Sequence, residues 1–293
     1  MTTECPGPSS DRRTRLVVGC GYLGGRVAAR WLASGDMVYG VTRSPDRGRA
    51  LAAAGLVPIV HDVASTAAWP ATLPACDTVF WAVGFDAPPP ITPRDVHVCG
   101  LGRLLDTLAG RPRVILSSST GVWGDEGGNV VTEQTPVRPA REAGRVLVEA
   151  EALLHAHPRG PGVALRFAGL YGPGRLPRLD GLRTGAPIAA DPDSWLNLIH
   201  VDDAAAVVLA VADAAAPGPL YVVSDGRPIR RRDWYGQLAR AIGGPEPTWD
   251  RTAGRSRGAD KRVDPALLHR DLAIRLAHPD SLAALAAAVH ESP

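Results

Sequence analysis

Between an apolar run, Arg15-Leu16-Val17-Val18, and a helical pattern marked by Val27, Ala28, Trp31 and Leu32, the chain carries Gly19-Cys20-Gly21-Tyr22-Leu23-Gly24. Few folds accept a strand, a glycine loop and a helix in that order. In a GxGxxG loop the first glycine makes a tight turn and the second leaves bare backbone for a pyrophosphate. The third lets helix and strand pack closely. The helix then aims its unpaired N–H groups at phosphate oxygens. The loop therefore predicts a dinucleotide cradle with contacts from Gly19, Gly21, Tyr22, Leu23 and Gly24.

Strand-like and helical patterns alternate beyond it. Strands are predicted at Leu16–Gly19, Val38–Thr42, Val57–His61, Thr78–Val83, Arg113–Ser117, Val163–Phe167 and Leu220–Val223. Helices are predicted at Leu23–Ala33, Pro45–Ala54, Pro93–Leu108, Arg138–His155, Asp202–Ala214, Arg232–Ile242 and Ser281–His290. This alternation is the signature of an α/β protein with a Rossmann-type, doubly wound parallel sheet. The dinucleotide-binding domain should cover 14–169 with a returning segment 197–224, after a disordered tail at 1–13. Residues 170–196 and 225–293 should form a smaller, discontinuous cap that binds substrate.

Composition narrows the surroundings more than the chemistry. A formal net charge of +2 over 293 residues is too mild for a nucleic-acid binder. The four cysteines (Cys5, Cys20, Cys76, Cys99) lack paired spacing and read as free thiols in a reducing compartment. The first thirteen residues lack a signal-peptide pattern, and the apolar run Ala204–Ala212 is too short to span a bilayer. The expected setting is the cytoplasm.

The second strand ends Val41-Thr42-Arg43-Ser44. Sites for NAD usually place a carboxylate there for the ribose 2′-OH; Arg43 suits a 2′-phosphate, so NADP is expected ahead of NAD. Asp62 and Val63 end the third strand. Asp62 is read either as an acceptor for the adenine amino group or as the cap of a helix from Ala64. Ala82 and Val83, ending the fourth strand, would let cofactor lie against backbone.

Further on stand Ser117-Ser118-Ser119-Thr120-Gly121-Val122-Trp123-Gly124-Asp125, Glu133 ahead of Pro136, and Arg166-Phe167-Ala168-Gly169-Leu170-Tyr171-Gly172-Pro173-Gly174. Ile199-His200-Val201-Asp202-Asp203-Ala204 and Tyr221-Val222-Val223-Ser224-Asp225-Gly226 follow. With these, the chain resembles the extended short-chain dehydrogenase/reductases, the NAD(P)-dependent epimerase/dehydratase family, over about residues 14–290. Its GxGxxG, in place of the GxxGxxG common there, points to an atypical branch. The resemblance implies Ser117 and Ala168 as further cofactor contacts, and Ser119 as the serine that orients a substrate oxygen.

It also implies a tyrosine and a lysine where this chain has Ala143 and Leu147. The only lysine is Lys261, and no tyrosine lies between Tyr39 and Tyr171, so the usual proton relay is missing. Candidate replacements are Glu133, as an acid or base or as a loop anchor, and Arg145, as an oxygen polariser or a surface residue. Tyr171 is a third, as a phenol or as packing beside the nicotinamide. Arg166 reads as a loop anchor through a carboxylate.

No metal site is expected, because Asp202 and Asp203 read as helix-opening acids. Two arginine-rich stretches, Arg227/Arg230/Arg231/Arg232 and Arg251/Arg255/Arg257/Lys261/Arg262, either gather round an anionic substrate or form solvated surface. The expected function is hydride transfer to or from a small polar, possibly anionic, carbonyl or imine metabolite. A non-catalytic NADP redox sensor and an isomerase or lyase using Glu133 are the alternatives. A homodimer through helices 93–108 and 138–155 is expected, with no membrane or nucleic-acid partner.

Overall fold

The computed structural model describes residues 12–70, 73–159, 162–250 and 260–291; most of the tail at 1–13, Cys5 and Arg251, Arg255 and Arg257 lie outside them. The chain divides into two compact units. The first runs to Leu116 and takes in Leu153–Gly162; the second comprises Ser117–Ala152 and Val163 onward. This division falls earlier than the boundary read at 169/170.

In the first unit, β1 (Thr14–Val18), α1 (Tyr22–Ala33), β2 (Met37–Thr42), α2 (Pro45–Ala53), β3 (Val57–Val60) and β4 (Thr78–Trp81) follow in turn. A wide π-helical turn, Asp95–Gly100, then runs into α3 (Leu101–Thr107), and β5 (Arg113–Ser119) comes next. Strand β1 pairs in parallel with β2 on one side and β4 on the other. Leu16, Val17 and Val18 are wholly buried, as expected of a parallel strand covered on both faces. The chain runs outward through β2 and β3, then returns to β4 on the opposite side of β1. That reversal opens a crevice beyond the carboxyl ends of β1 and β4.

A buried ion pair holds the opposite end of this sheet. Arg15, 2% exposed, donates from Nε to Asp36 Oδ2 at 2.8 Å and from Nη1 to Thr78 Oγ1 at 2.6 Å. Its guanidinium also lies 5.1 Å from the centre of the Trp31 ring. One side chain thus ties β1 to β4, to the α1–β2 turn and to α1.

The second unit continues with β6 (Val130–Val131), α4 (Glu142–Ala156), β7 (Gly162–Phe167), β8 (Gly169–Tyr171), α5 (Leu179–Arg183), β9 (Trp195–Leu196), β10 (Leu198–His200) and α6 (Val201–Asp213). It ends with β11 (Leu220–Val223), β12 (Ile229–Arg230), α7 (Arg231–Ala241), β13 (Arg262–Val263), α8 (Ala266–Leu272) and α9 (Ser281–His290). Three small ladders went unread in the sequence: β8 with β10 and β6 with β13, both parallel, and β9 with β12, antiparallel. Strands of two or three residues carry too little periodicity to stand out. Tyr171, Trp234, Leu238 and Leu285 centre an apolar cluster that joins α7 and α9 to the β8 ladder.

Hydrogen bonding orders the main sheet β11-β7-β5-β4-β1-β2-β3, a seven-stranded Rossmann-type arrangement. The helix expected from Arg138 starts at Glu142, and residues 93–108 begin as a π-turn instead of an α-helix. No helix of the described residues is long and apolar enough to cross a membrane.

Replacing Asp36 by Ala leaves the buried Arg15 guanidinium without its carboxylate. A loss of about 3 kcal/mol is expected, read from the urea unfolding midpoint. Asp46→Ala, which breaks an exposed pair with Arg49 on α2, is expected to leave that midpoint unchanged.

Candidate functional site

The crevice of the first unit contains a cavity of about 530 Å³ lined by Gly19, Gly21, Arg43, Asp62, Val63, Ala82 and Val83. Gly19 has φ +94°, and a Cβ there would lie 2.9 Å from the Ala82 carbonyl oxygen. At Gly24 a Cβ would fall 2.1 Å from the Gly19 carbonyl oxygen, so only glycine lets α1 approach β1 so closely. Around Gly21 a Cβ would meet nothing within 4 Å. The loop's three glycines thus do three separate things: turn, open space and close packing.

Helix α1 has no side-chain cap at Gly21, so its first N–H groups keep their donors for a ligand. Tyr22, Leu23 and Gly24 form its first turn rather than the cavity wall. A cradle open at Gly21 and an uncapped helix end fit a dinucleotide pyrophosphate.

At the end of β2, Arg43 is exposed and lines the cavity beside Ser44 and Arg47. Ser44 caps α2 by accepting from Arg47 N, with Pro45 at the first helical position. Arg47 went unread in the sequence, although Ser44-Pro45 already places it in the first turn of α2. Its Nη2 donates to the Cys20 carbonyl oxygen at 3.0 Å. Burial pushes the Cys20 thiol up to about 11, against the pull of Arg47, so Cys20 stays a protonated packing residue. Asp62 accepts from Ala64 N at 3.0 Å, closing a turn. The helix expected from Ala64 does not form: Ser65 N returns at once to the Asp62 carbonyl, and the chain continues as bends.

The second unit has its own cavity, of about 470 Å³, lined by Ser119, Arg141, Arg175, Asn197, Arg231 and Lys261, with Ser117 and Ala168 also on its wall. Ser119 stands at the end of β5, its Oγ accepting from Gly121 N at 3.0 Å. A buried network holds that strand end. Ser118 Oγ donates to Glu151 Oε1 at 2.5 Å, while Arg166 grips the same carboxylate from Nε at 3.1 Å and from Nη2 at 2.7 Å. The guanidinium of Arg166 lies 4.7 Å from the Trp123 ring centre. Arg166 thus anchors through a carboxylate, and the network holds Ser118, the residue before Ser119 on β5.

The other expected catalytic side chains lie off this cavity wall. Glu133 accepts from Val222 N at 2.8 Å. Arg145 is exposed on α4, one turn past Arg141, which does line the cavity. Tyr171 is wholly buried, edge-on to His200 and Trp234, and its Oη has no hydrogen-bond partner. Burial first, then Asp225, Asp203 and Asp280, push its phenol above the ordinary range. Lys261, from the basic stretch expected either to gather round an anionic substrate or to form solvated surface, is 5% exposed and faces the cavity.

His200, Asp203 and His278 bring ligating atoms within 4.8 Å of one another. Asp203 spends its oxygens on Ala277 N, His278 N and the His278 ring. His200, not Asp202, is the cap of α6, its Nδ1 accepting from Asp202 N. The cluster reads as a clamp on the segment before α9.

Residues 15–224 match the family model for the NAD dependent epimerase/dehydratase family, and the chain belongs to that family. It is 34% identical over 171 residues to Protein YeeZ of Escherichia coli (strain K12), a match covering 58% of this chain and 60% of that protein. A functionally unknown conserved protein from Silicibacter pomeroyi DSS superposes with TM-score 0.75 at 27% identity, over 96% of this chain and 99% of that one. The UDP-glucuronic acid 4-epimerase of Bacillus cereus, solved with UDP-glucuronic acid and NAD, shares the fold with TM-score 0.76 at 17% identity, over 95% and 99%.

Glu151→Ala is expected to cost about 3 kcal/mol of stability, because it strands the buried Arg166 charge. Glu151→Gln keeps an acceptor for both partners and is expected to cost less; thermal unfolding of the two variants side by side checks the order.

Proposed function

We propose that the protein is an NADP-dependent oxidoreductase or epimerase-like enzyme acting on a small, anionic carbonyl or imine metabolite. One observation carries the reading: among the described residues, the Ser119 cavity gathers Arg141, Arg175, Arg231 and Lys261 against a single lining carboxylate, Asp125. Cations in such excess favour a carboxylate or phosphate group on the substrate. Ser119 orients the reacting oxygen. When bound, the nicotinamide dinucleotide supplies or accepts hydride at carbon. Arg43 and Arg47 beside the α2 N-terminus, with Thr42-Arg43-Ser44 in place of an acidic residue, support a 2′-phosphate.

A second reading, a non-catalytic NADP-binding regulator, draws on Ala143 and Leu147 standing on α4 where the family resemblance leads one to expect a tyrosine and a lysine. The engagement of Glu133 with Val222 N weighs against a lyase that uses it as base. Self-association through α3 and α4 belongs to the same proposal and is checked by sedimentation.

Calorimetry with NADPH and NADH, followed by absorbance assays against a panel of oxo acids, sugar nucleotides and cyclic imines, tests the reading. No binding of either dinucleotide sinks it; binding without turnover of any compound favours the regulator. Arg43→Ala is expected to weaken NADPH about tenfold, a loss of ~1.4 kcal/mol, and to leave NADH unchanged. Gly24→Ala drives a methyl into the Gly19 carbonyl and is expected to abolish binding of both.

A further inference from the structure

Lys261 is the only lysine of 293 residues, and it stands on the wall of the cavity that Ser119 also lines. The position is built with care. The Asp260 carbonyl accepts from Glu126 N and Gly128 N, both at 3.0 Å, and Asp260 Oδ1 accepts from Trp195 N at 2.8 Å. Asn197 Nδ2 donates to the Lys261 carbonyl at 2.9 Å, and Asn197 Oδ1 accepts from Val263 N at 2.9 Å. Residues on both sides of Lys261 are therefore pinned to neighbouring loops before β13 joins β6.

The side chain is held more loosely than its backbone. Nζ donates to the carbonyl oxygens of Trp123 and Gly124 at 3.3 and 3.4 Å. A firm charge-assisted hydrogen bond measures about 2.7–2.9 Å, and an ammonium carries three donors. Two long contacts aim the amine and leave a donor for a ligand. Among the described residues Lys261 forms no ion pair.

We propose that Lys261 is the acid–base residue of this cavity, exchanging a proton with the substrate oxygen that Ser119 orients. The inference rests on the enzyme reading above. It gives Lys261 the task that the resemblance assigns to a tyrosine, at a chain position more than a hundred residues from Ala143. As negative charge builds on the substrate oxygen, an Nζ–H bond breaks, an O–H bond forms, and the neutral amine regains a proton from water. In the opposite direction the neutral amine takes the hydroxyl proton. The electron pair at carbon travels with the nicotinamide dinucleotide already proposed.

Electrostatics suits the task. Burial, then Arg231 at the start of α7, lowers the amine to about 8 from the ordinary 10.5, and Arg141 adds to this. Glu126 and Asp125, in the loop after β5, pull the other way. Asp260 and Arg262 flank it in the chain, and Arg175 shares the cavity wall. A group that titrates near neutral pH can both give and take a proton. Arginine at this position would hold its proton throughout.

Full-length protein grown with ¹⁵N-lysine gives one side-chain amine signal, because the chain has no other lysine. Its titration midpoint is expected near 8, and a midpoint at 10.5 overturns the proposal. Lys261→Arg keeps the charge and the donors but removes the exchangeable proton. With a substrate from the panel above it is expected to lose about 100-fold in kcat, together with the pH–rate limb near 8. NADPH affinity should stay the same, and an arginine variant at the wild-type rate overturns the proposal. Failure of the wild-type protein to bind dinucleotide would sink the enzyme reading instead, a result separate from the lysine titration.

Discussion

Helix α1 can sit against β1 as it does only because residue 24 has no side chain. With a Cβ placed 2.1 Å from the Gly19 carbonyl oxygen, any other residue would force the helix away from the strand. Moving α1 would in turn lift Leu23, Val27, Ala28 and Trp31 from the core they fill. It would also reorient the helix N-terminus at Gly21, which no side chain caps and where backbone N–H groups suit an anion. Packing and ligand recognition in the first unit thus depend on one backbone contact. The left-handed φ at Gly19 belongs to the same constraint, since it turns the chain from β1 into the loop below that helix.

Charge is distributed to match two different tasks. Around the first cavity Arg43 and Arg47 stand at a helix N-terminus, where fixed positive charge and backbone dipole act together. In the second cavity Arg231 and Lys261 are partly desolvated, while Arg141 and Arg175 are exposed. Arg231 is pulled below its ordinary value by burial, as Lys261 is, while beside Ser119 the Arg166 guanidinium is paired with Glu151. Desolvated cations attract an anion far more strongly than solvated ones, because water no longer screens the field. A bound carboxylate or phosphate would relieve the mutual repulsion of these groups, which is the physical basis of the anionic substrate proposed above.

The parts of this molecule legible in the sequence are those that local pattern controls. The strands of the main sheet, the glycine loop, the Arg43 position and Ser119 all follow from short-range periodicity or from a motif with a mechanism. The parts that escaped depend on distant contacts. Tyr171 reads in sequence as a phenol or as packing beside the nicotinamide, yet lies sealed in the cluster with Trp234, because α7 folds back across β8. Arg145 reads either as an oxygen polariser or as a surface residue on a helix from 138; with α4 starting at Glu142, Arg141 lines the cavity and Arg145 is exposed. Lys261 escaped most completely. It lies among arginines whose pattern leaves both a substrate cluster and solvated surface open to reading, and its amine meets residues 137 and 138 positions away.

Composition sharpens the meaning of that single lysine. Lysine and arginine together number 32, and only position 261 is lysine. Wherever the fold needs a fixed charge it uses a guanidinium: Arg15 against Asp36, Arg166 against Glu151, Arg227 against Asp280. Those pairs use permanent charge, and Arg166 adds a two-pronged grip on Glu151; these are properties in which arginine exceeds lysine. At 261 neither property is used among the described residues, where the amine meets two carbonyl oxygens at long range and no carboxylate. What lysine offers there and arginine does not is a proton it can release. A chain so consistent in its choice of arginine departs from it at the one buried position where a movable proton faces a serine-lined cavity.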